Sequence, residues 1–153
     1  MKRKKILFVC SGNTCRSPMA EAILKSKIKQ RKIKWWDVAS CGMFAEVGGT
    51  ISQGSAAALS EAGIPLKKFA PRQLTQDIID RSYAVICMTE KQKQVLENCG
   101  KVYSVKDLCG FDIPDPYGGN MDVYRAARDA IAIACDSVIE KIILPAVSED
   151  ENK

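Results

Sequence analysis

The sequence predicts an α/β fold, a parallel sheet covered on both faces by helices, and three observations carry that prediction. Short apolar runs alternate with stretches of helical periodicity along the whole chain. The first run, Ile6 to Cys10, is continuously apolar, as a strand buried on both faces must be. It empties into Ser11-Gly12-Asn13, and a helix begins at once, giving the order strand, glycine loop, helix.

The elements follow in order. Ser17 is read as the N-cap of the first helix, with Pro18 at the first helical position and Glu21 in the first turn, ahead of Ala22, Ile23 and Ile28. Trp35 to Ser40 reads as a strand. Ser52 to Ala62 reads as a helix ended by Gly63, and Thr75 to Asp80 as a short helix capped by Thr75. Tyr83 to Met88 is a further apolar strand, Glu90 to Asn98 a helix stopped at Gly100, and Val102 to Val105 a short edge strand. Met121 to Leu144 carries one long amphipathic helix. Between them, Cys109 to Asn120 holds two prolines and three glycines, which neither a helix nor a central strand accommodates, so an ordered surface loop is expected there.

At 153 residues and 46% hydrophobic, the chain is long enough for one well-buried core and too short for two ordinary domains. A single domain over 1–153 is expected, with 148–153 a flexible, solvent-facing tail. No apolar run approaches a membrane span, and the basic start is followed by no long apolar stretch, so no membrane partner is expected. Seven cysteines, an odd number, fit a reducing compartment, and the cytoplasm is the expected location. The absence of histidine removes every mechanism with a His base and every His metal site. The +5 charge sits largely in Lys2 to Lys5 and Lys25 to Lys34, runs that a solvated helix face and a frayed terminus explain, and without aromatic interleaving they give no reason to expect nucleic acid.

In open parallel sheets, ligands sit beyond the carboxyl ends of the strands, which singles out the loop from Cys10 to Ser17. A loop wrapped ahead of a helix points backbone N–H groups inward and, with the helix dipole, makes a site for a dianionic phosphate; Gly12 permits the backbone path. The same field stabilises negative charge on the sulfur of Cys10 and so prepares a nucleophile aimed at phosphorus. Arg16 can place two parallel N–H donors on phosphoryl oxygens, Ser17 can hydrogen-bond the sulfur, and Asn13 tolerates left-handed geometry and braces the loop. Cys10 and Cys15 with no histidine and no second paired motif make a poor zinc set, so neither a metal nor a cofactor is expected.

Val9 to Pro18, reading VCSGNTCRSP, resembles the phosphate-binding signature of the low-molecular-weight protein tyrosine phosphatases, and Asp115-Pro116-Tyr117 resembles that family's acid loop. The likeness extends through Ser40-Cys41-Gly42, Gly63-Ile64-Pro65, Arg72-Gln73-Leu74-Thr75 and Cys87-Met88, nearly the whole chain. It implies a three-layer α/β/α, phosphatase I-like fold with a central four-stranded parallel sheet in the order 2-1-3-4. It also implies a hydrolase that needs no metal and works through a phosphocysteine on Cys10, with Asp115 as general acid and then base. Ser11, Gly12, Asn13, Thr14, Cys15 and Ser17 would bind phosphate or support the loop, and Cys15 would trap oxidised Cys10 as a reversible disulfide. The expected partners are phosphorylated proteins, with inorganic phosphate as product and a monomer as the default state.

The family default substrate is phosphotyrosine. Thr14, however, stands where tyrosine-directed members usually carry an aliphatic residue, and it resembles the threonine of bacterial protein-arginine phosphatases; Phe44 also fits their pattern. Asp115-Pro116-Tyr117-Gly118-Gly119-Asn120 has glycine where many tyrosine-directed enzymes carry a second aromatic. Thr14 can equally be a loop residue bonded to its own backbone, so phosphoarginine and phosphotyrosine stand close to even. Phe44 and Tyr117 are assigned to the substrate cleft, and Tyr124 to packing. A thioredoxin-coupled arsenate reductase fits less well, because Cys87, Cys99 and Cys109 lack the spacing of shuttle cysteines. A silent phosphoprotein-binding module could lack Cys10, Arg16 or Asp115, and all three are present.

Overall fold

The computed structural model describes residues 2–96 and 98–152. Four strands, β1 (Lys4–Cys10), β2 (Trp36–Gly42), β3 (Ala84–Cys87) and β4 (Val102–Ser104), form one parallel sheet in the order β2-β1-β3-β4. That is the 2-1-3-4 order implied by the resemblance, and it leaves β4 on an edge, as its short apolar run requires.

Alternation along β1 sends Ile6, Phe8 and Cys10 to one face and Leu7 and Val9 to the other. On the first face lie α1 (Arg16–Gln30), α2 (Gln53–Glu61), α5 (Val105–Cys109) and α6 (Met121–Val138). The second face is covered more thinly, with Ile79 of α3 (Gln76–Asp80) at its centre and Leu96, at the end of α4 (Glu90–Val95), packed against it. No helix among the described residues is long and apolar enough to cross a membrane.

Several element readings change. The first helix starts at Arg16, with Cys15 at its N-cap and no side-chain cap, so Ser17 is not the cap, Pro18 is the third helical residue and Glu21 lies in the second turn. Pro18 is still tolerated there because first-turn N–H groups have no intrahelical acceptor. The helix read over 90–98 ends at Val95, and Glu97 lies outside the described residues. Val105 leaves the edge strand to open α5, an unforeseen helix capped reciprocally by Ser104 and Asp107.

The long last helix passes through a π-helical turn at Ile139–Ile143 and continues as α7 (Leu144–Glu151). Pro145 offers no N–H to the carbonyl four residues earlier and crowds it, which loosens the ladder at that point. The wider turn keeps both Ile139 and Ile143 buried. The segment 148–153, expected to be flexible, is therefore helical through Glu151, and Asp150 is hydrogen-bonded to Lys4; Lys153 lies outside the described residues.

Candidate active site

β1 delivers Cys10 to the carboxyl end of the sheet, beside Gly42 of β2. The loop that follows is tethered by its carbonyls. Cys10, Ser11, Gly12 and Thr14 accept from the N–H groups of Met43 (2.9 Å), Phe44 (2.8 Å), Glu46 (3.4 Å) and Ser52 (2.8 Å). With those carbonyls turned toward the 43–52 segment, the peptide planes present their N–H groups to the opposite side. From Ser11 to Cys15 none of these N–H groups has a partner among the described residues. A row of unpaired donors ahead of a helix N-terminus is the arrangement an anion requires.

Gly42 makes this approach possible. A Cβ there would lie 2.8 Å from Gly12 C and Ser11 O and 2.9 Å from Asn13 N, all backbone atoms that cannot step aside. Asn13 adopts φ +58° and is fully buried. Its Oδ1 accepts from the Arg72 N–H at 2.9 Å, and its Nδ2 donates to Ser17 Oγ at 2.8 Å and Ser40 Oγ at 3.0 Å. Ser40 in turn donates to Glu21 Oε1 at 2.9 Å. Ser17 does not cap the helix, but it makes the expected contact with the nucleophile, its hydroxyl lying 2.8 Å from Cys10 Sγ.

Arg16 is buried, at 5% exposure, although it is a guanidinium. Its Nη1 donates to the carbonyl of Ile113 at 3.0 Å, its Nη2 lies 3.8 Å from Asp115 Oδ2, and its Nε is a buried donor with no partner. Such an orphan is costly unless a ligand satisfies it. Ile113 is itself pinned, its N–H donating to Met88 O at 3.0 Å, so one buried residue locates both Arg16 and the acid loop. Asp115 Oδ1 accepts from the Tyr117 N–H at 3.1 Å in an Asx turn, which leaves Oδ2 toward the cleft.

The cleft holds about 290 Å³, and Cys10, Thr14, Arg16, Asp115, Phe44 and Tyr117 all line it. Ser11, Gly12 and Cys15 share its wall, whereas Asn13 and Ser17 act from behind. The aromatic pair forms open walls, with Phe44 83% and Tyr117 77% exposed. Cys15 is buried; its thiol donates to Ser52 Oγ at 3.3 Å and lies 3.9 Å from Tyr124 Oη. Tyr124, taken as packing, is therefore also a neighbour of the loop, and burial pushes its hydroxyl above the usual phenol range.

Glu46, which also lines the cleft, escaped the sequence reading. Its carboxylate has no ion pair or hydrogen bond among the described residues. A single Glu in a loop carries no pattern. Nor could Ser40, Glu21 and Arg72 be ranked from the sequence, because Ser40 and Arg72 reach Asn13 across 27 and 59 residues of chain and Glu21 reaches Ser40 across 19.

The model for low molecular weight phosphotyrosine protein phosphatase matches residues 5–147. The chain is 38% identical over 146 residues to a protein-arginine-phosphatase of Geobacillus stearothermophilus, covering 90% of this chain and 95% of that protein. It is 36% identical to the low molecular weight protein-tyrosine-phosphatase PtpB of Staphylococcus haemolyticus, covering 79% and 87%. A solved structure of the arginine phosphatase YwlE, a cysteine-to-serine mutant with a phosphorylated active-site serine, superimposes with a TM-score of 0.83 at 32% identity, covering 90% of this chain and 97% of that one. With the signature loop, the sheet order and the acid loop in place over that length, the chain belongs to the low molecular weight phosphotyrosine protein phosphatase family.

Proposed function

We propose that this cysteine-dependent protein phosphatase acts on phosphoarginine side chains of proteins, with Cys10 as nucleophile, Arg16 as phosphate clamp and Asp115 as proton donor and acceptor. In the first step Cys10 Sγ bonds to phosphorus, the bond from phosphorus to the guanidine nitrogen breaks, and Asp115 delivers a proton to that nitrogen. In the second, water attacks phosphorus, Asp115 takes its proton, the sulfur–phosphorus bond breaks and inorganic phosphate leaves. The unpaired loop N–H groups and the Arg16 Nε bind the equatorial oxygens in both steps. Cys15 attacks Cys10 once it is oxidised to a sulfenic acid, forming a disulfide and releasing water. The free thiols suit the cytoplasm.

The observation that carries the substrate is a second carboxylate. Glu46, Asp115 and Thr14 all line the cleft, two carboxylates and a hydroxyl whose polar, anionic character favours a cationic guanidinium over a neutral phenyl ring. The named activity of the Geobacillus relative supports the same reading. Phosphotyrosine is the second reading, favoured by the aromatic walls Phe44 and Tyr117, and the Staphylococcus relative is named for it. Phosphate release from matched phosphoarginine and phosphotyrosine peptides decides between them. The expected result is a phosphoarginine preference that falls in Thr14→Ile and is abolished in Cys10→Ser. A phosphotyrosine preference unmoved by Thr14→Ile would overturn the assignment.

A further inference from the structure

A second cleft, of about 710 Å³, runs along α1, β2 and the 68–72 segment and shares no lining residue with the cleft over Cys10. Five cations line it, Lys5, Lys25, Lys29, Lys68 and Arg72, against the carboxylates of Glu21 and Asp37. Both carboxylates are already engaged: Asp37 takes Arg3 at 2.8 Å and Glu21 takes Lys25 at 3.0 Å. The side chains of Lys5, Lys29, Lys68 and Arg72 have no hydrogen bond or ion pair among the described residues. Four unpaired cations around one concavity repel each other, and the arrangement is relieved by a counter-charge bound between them.

The surrounding surface reinforces this field. Two adjoining clefts at the same end of the sheet share Lys5, or Ile33 and Trp36, with it. Together the three are lined by eleven Lys and Arg and four Asp and Glu, a surplus of seven positive charges on a chain whose total surplus is five. The remainder, catalytic cleft included, thus carries a surplus of two negative charges. Anions arriving by diffusion are steered to this rear surface.

The cleft is also wired to the nucleophile. Arg72 holds Asn13 Oδ1 through its backbone N–H at 2.9 Å, and Glu21 holds Ser40, which accepts from the Asn13 amide. Asn13 then sets Ser17, and Ser17 lies against the sulfur. Two cleft residues therefore grip Asn13 from both ends.

We propose that this rear cleft is a regulatory site for a small, multiply charged anion of the oligophosphate class, and that filling it slows the phosphatase. The sign follows from electrostatics. A bound polyanion cancels positive potential behind the loop, potential that favours both the substrate dianion and negative charge on Cys10. Because the loop's own donors remain, the slowing is partial.

Tripolyphosphate is the probe, titrated calorimetrically into the full-length protein with the catalytic loop saturated by vanadate. The variant is Lys29→Glu/Lys68→Glu, whose cations lie outside the catalytic cleft. One-site binding should persist with vanadate present and weaken by about tenfold or more in the variant. In steady-state assays with an aryl phosphate, tripolyphosphate should lower kcat by about fivefold to a plateau above zero, while the variant, whose reversed charges already remove that potential, should start from a lowered kcat and show no further fall with tripolyphosphate. Loss of all binding heat once vanadate is bound, equal affinity in the variant, or purely competitive inhibition would each overturn the proposal. The calorimetric arm does not depend on which phosphorylated residue is the substrate, so a failure there is separate from a failure of the phosphoarginine reading.

Discussion

The hydroxyl of Ser17 lies 2.8 Å from the sulfur of Cys10, and the Asn13 amide donates to that same hydroxyl oxygen at 2.8 Å. With its oxygen so occupied, the Ser17 proton is directed at the sulfur, and Cys10 Sγ accepts the hydrogen bond. Ser17→Ala should lower kcat by roughly ten- to a hundredfold, the equivalent of an approximately 1.5–3 kcal/mol hydrogen bond to a charged group. Michaelis constants should change little, and iodoacetamide should alkylate the variant more slowly at neutral pH. An unchanged alkylation rate would show that the hydroxyl does not support the sulfur.

Asp115→Asn removes the proton donor while keeping the Asx turn, since the amide oxygen can still accept from Tyr117. A drop in kcat of about a hundredfold or more is expected on a phosphopeptide. With a nitrophenyl phosphate, whose leaving group needs little protonation, the drop should be much smaller. Equal losses on both substrates would assign Asp115 to binding.

Gly42→Ala tests the seat of the loop. The added methyl meets only backbone of Ser11, Gly12 and Asn13, at 2.8 to 2.9 Å, so the loop must shift. Stability should fall by about 1–3 kcal/mol, as for other overpacked sites, and activity should fall further than the population of folded protein explains. Thermal melting and kcat measured on the same preparation separate the two effects.

Glu61 joins α2 to α6 through Arg125 at 2.6 Å and Arg128 at 3.1 Å, and these guanidiniums hold its carboxyl down at about 2 rather than 4.5. A depressed folded value means the unfolded chain binds more protons between those limits. The contribution is therefore present above pH 4.5 and is lost as pH falls toward 2. The melting-temperature difference between wild type and Glu61→Gln should be largest near neutrality and close to zero near pH 2. A pH-independent difference would assign the pair's role to packing alone.

Burial pushes the Cys87 thiol up to about 12 and raises that of Cys135 as well. Both should resist alkylation at neutral pH in the folded protein, while Cys10, which lines an open cleft, reacts and is protected by inorganic phosphate. Peptide mapping after limited iodoacetamide treatment reads this out. Early labelling of Cys87 would contradict the burial of β3.

The sequence by itself determined the architecture and the reacting groups. Ile6 to Cys10 had to be a central strand because a continuous apolar run needs cover on both faces, and Cys10, Arg16 and the glycine loop follow within local reach of one another. What it misassigned was the helix start: Ser17 has the chemistry of a cap, but the helix begins one residue before it, at Arg16, and its hydroxyl serves the expected contact with the sulfur of Cys10 instead. Likewise Pro145 marks a disturbance without saying that the helix continues past it to Glu151. Only the tertiary structure decided that Asn13, Ser40, Glu21 and Arg72 form one hydrogen-bonded support, that Ile113 ties Arg16 to the acid loop, and that Glu46 faces the cleft. These contacts join residues far apart in the chain, and a hydrogen bond of about 3 Å leaves no periodicity or spacing in the sequence that specifies it.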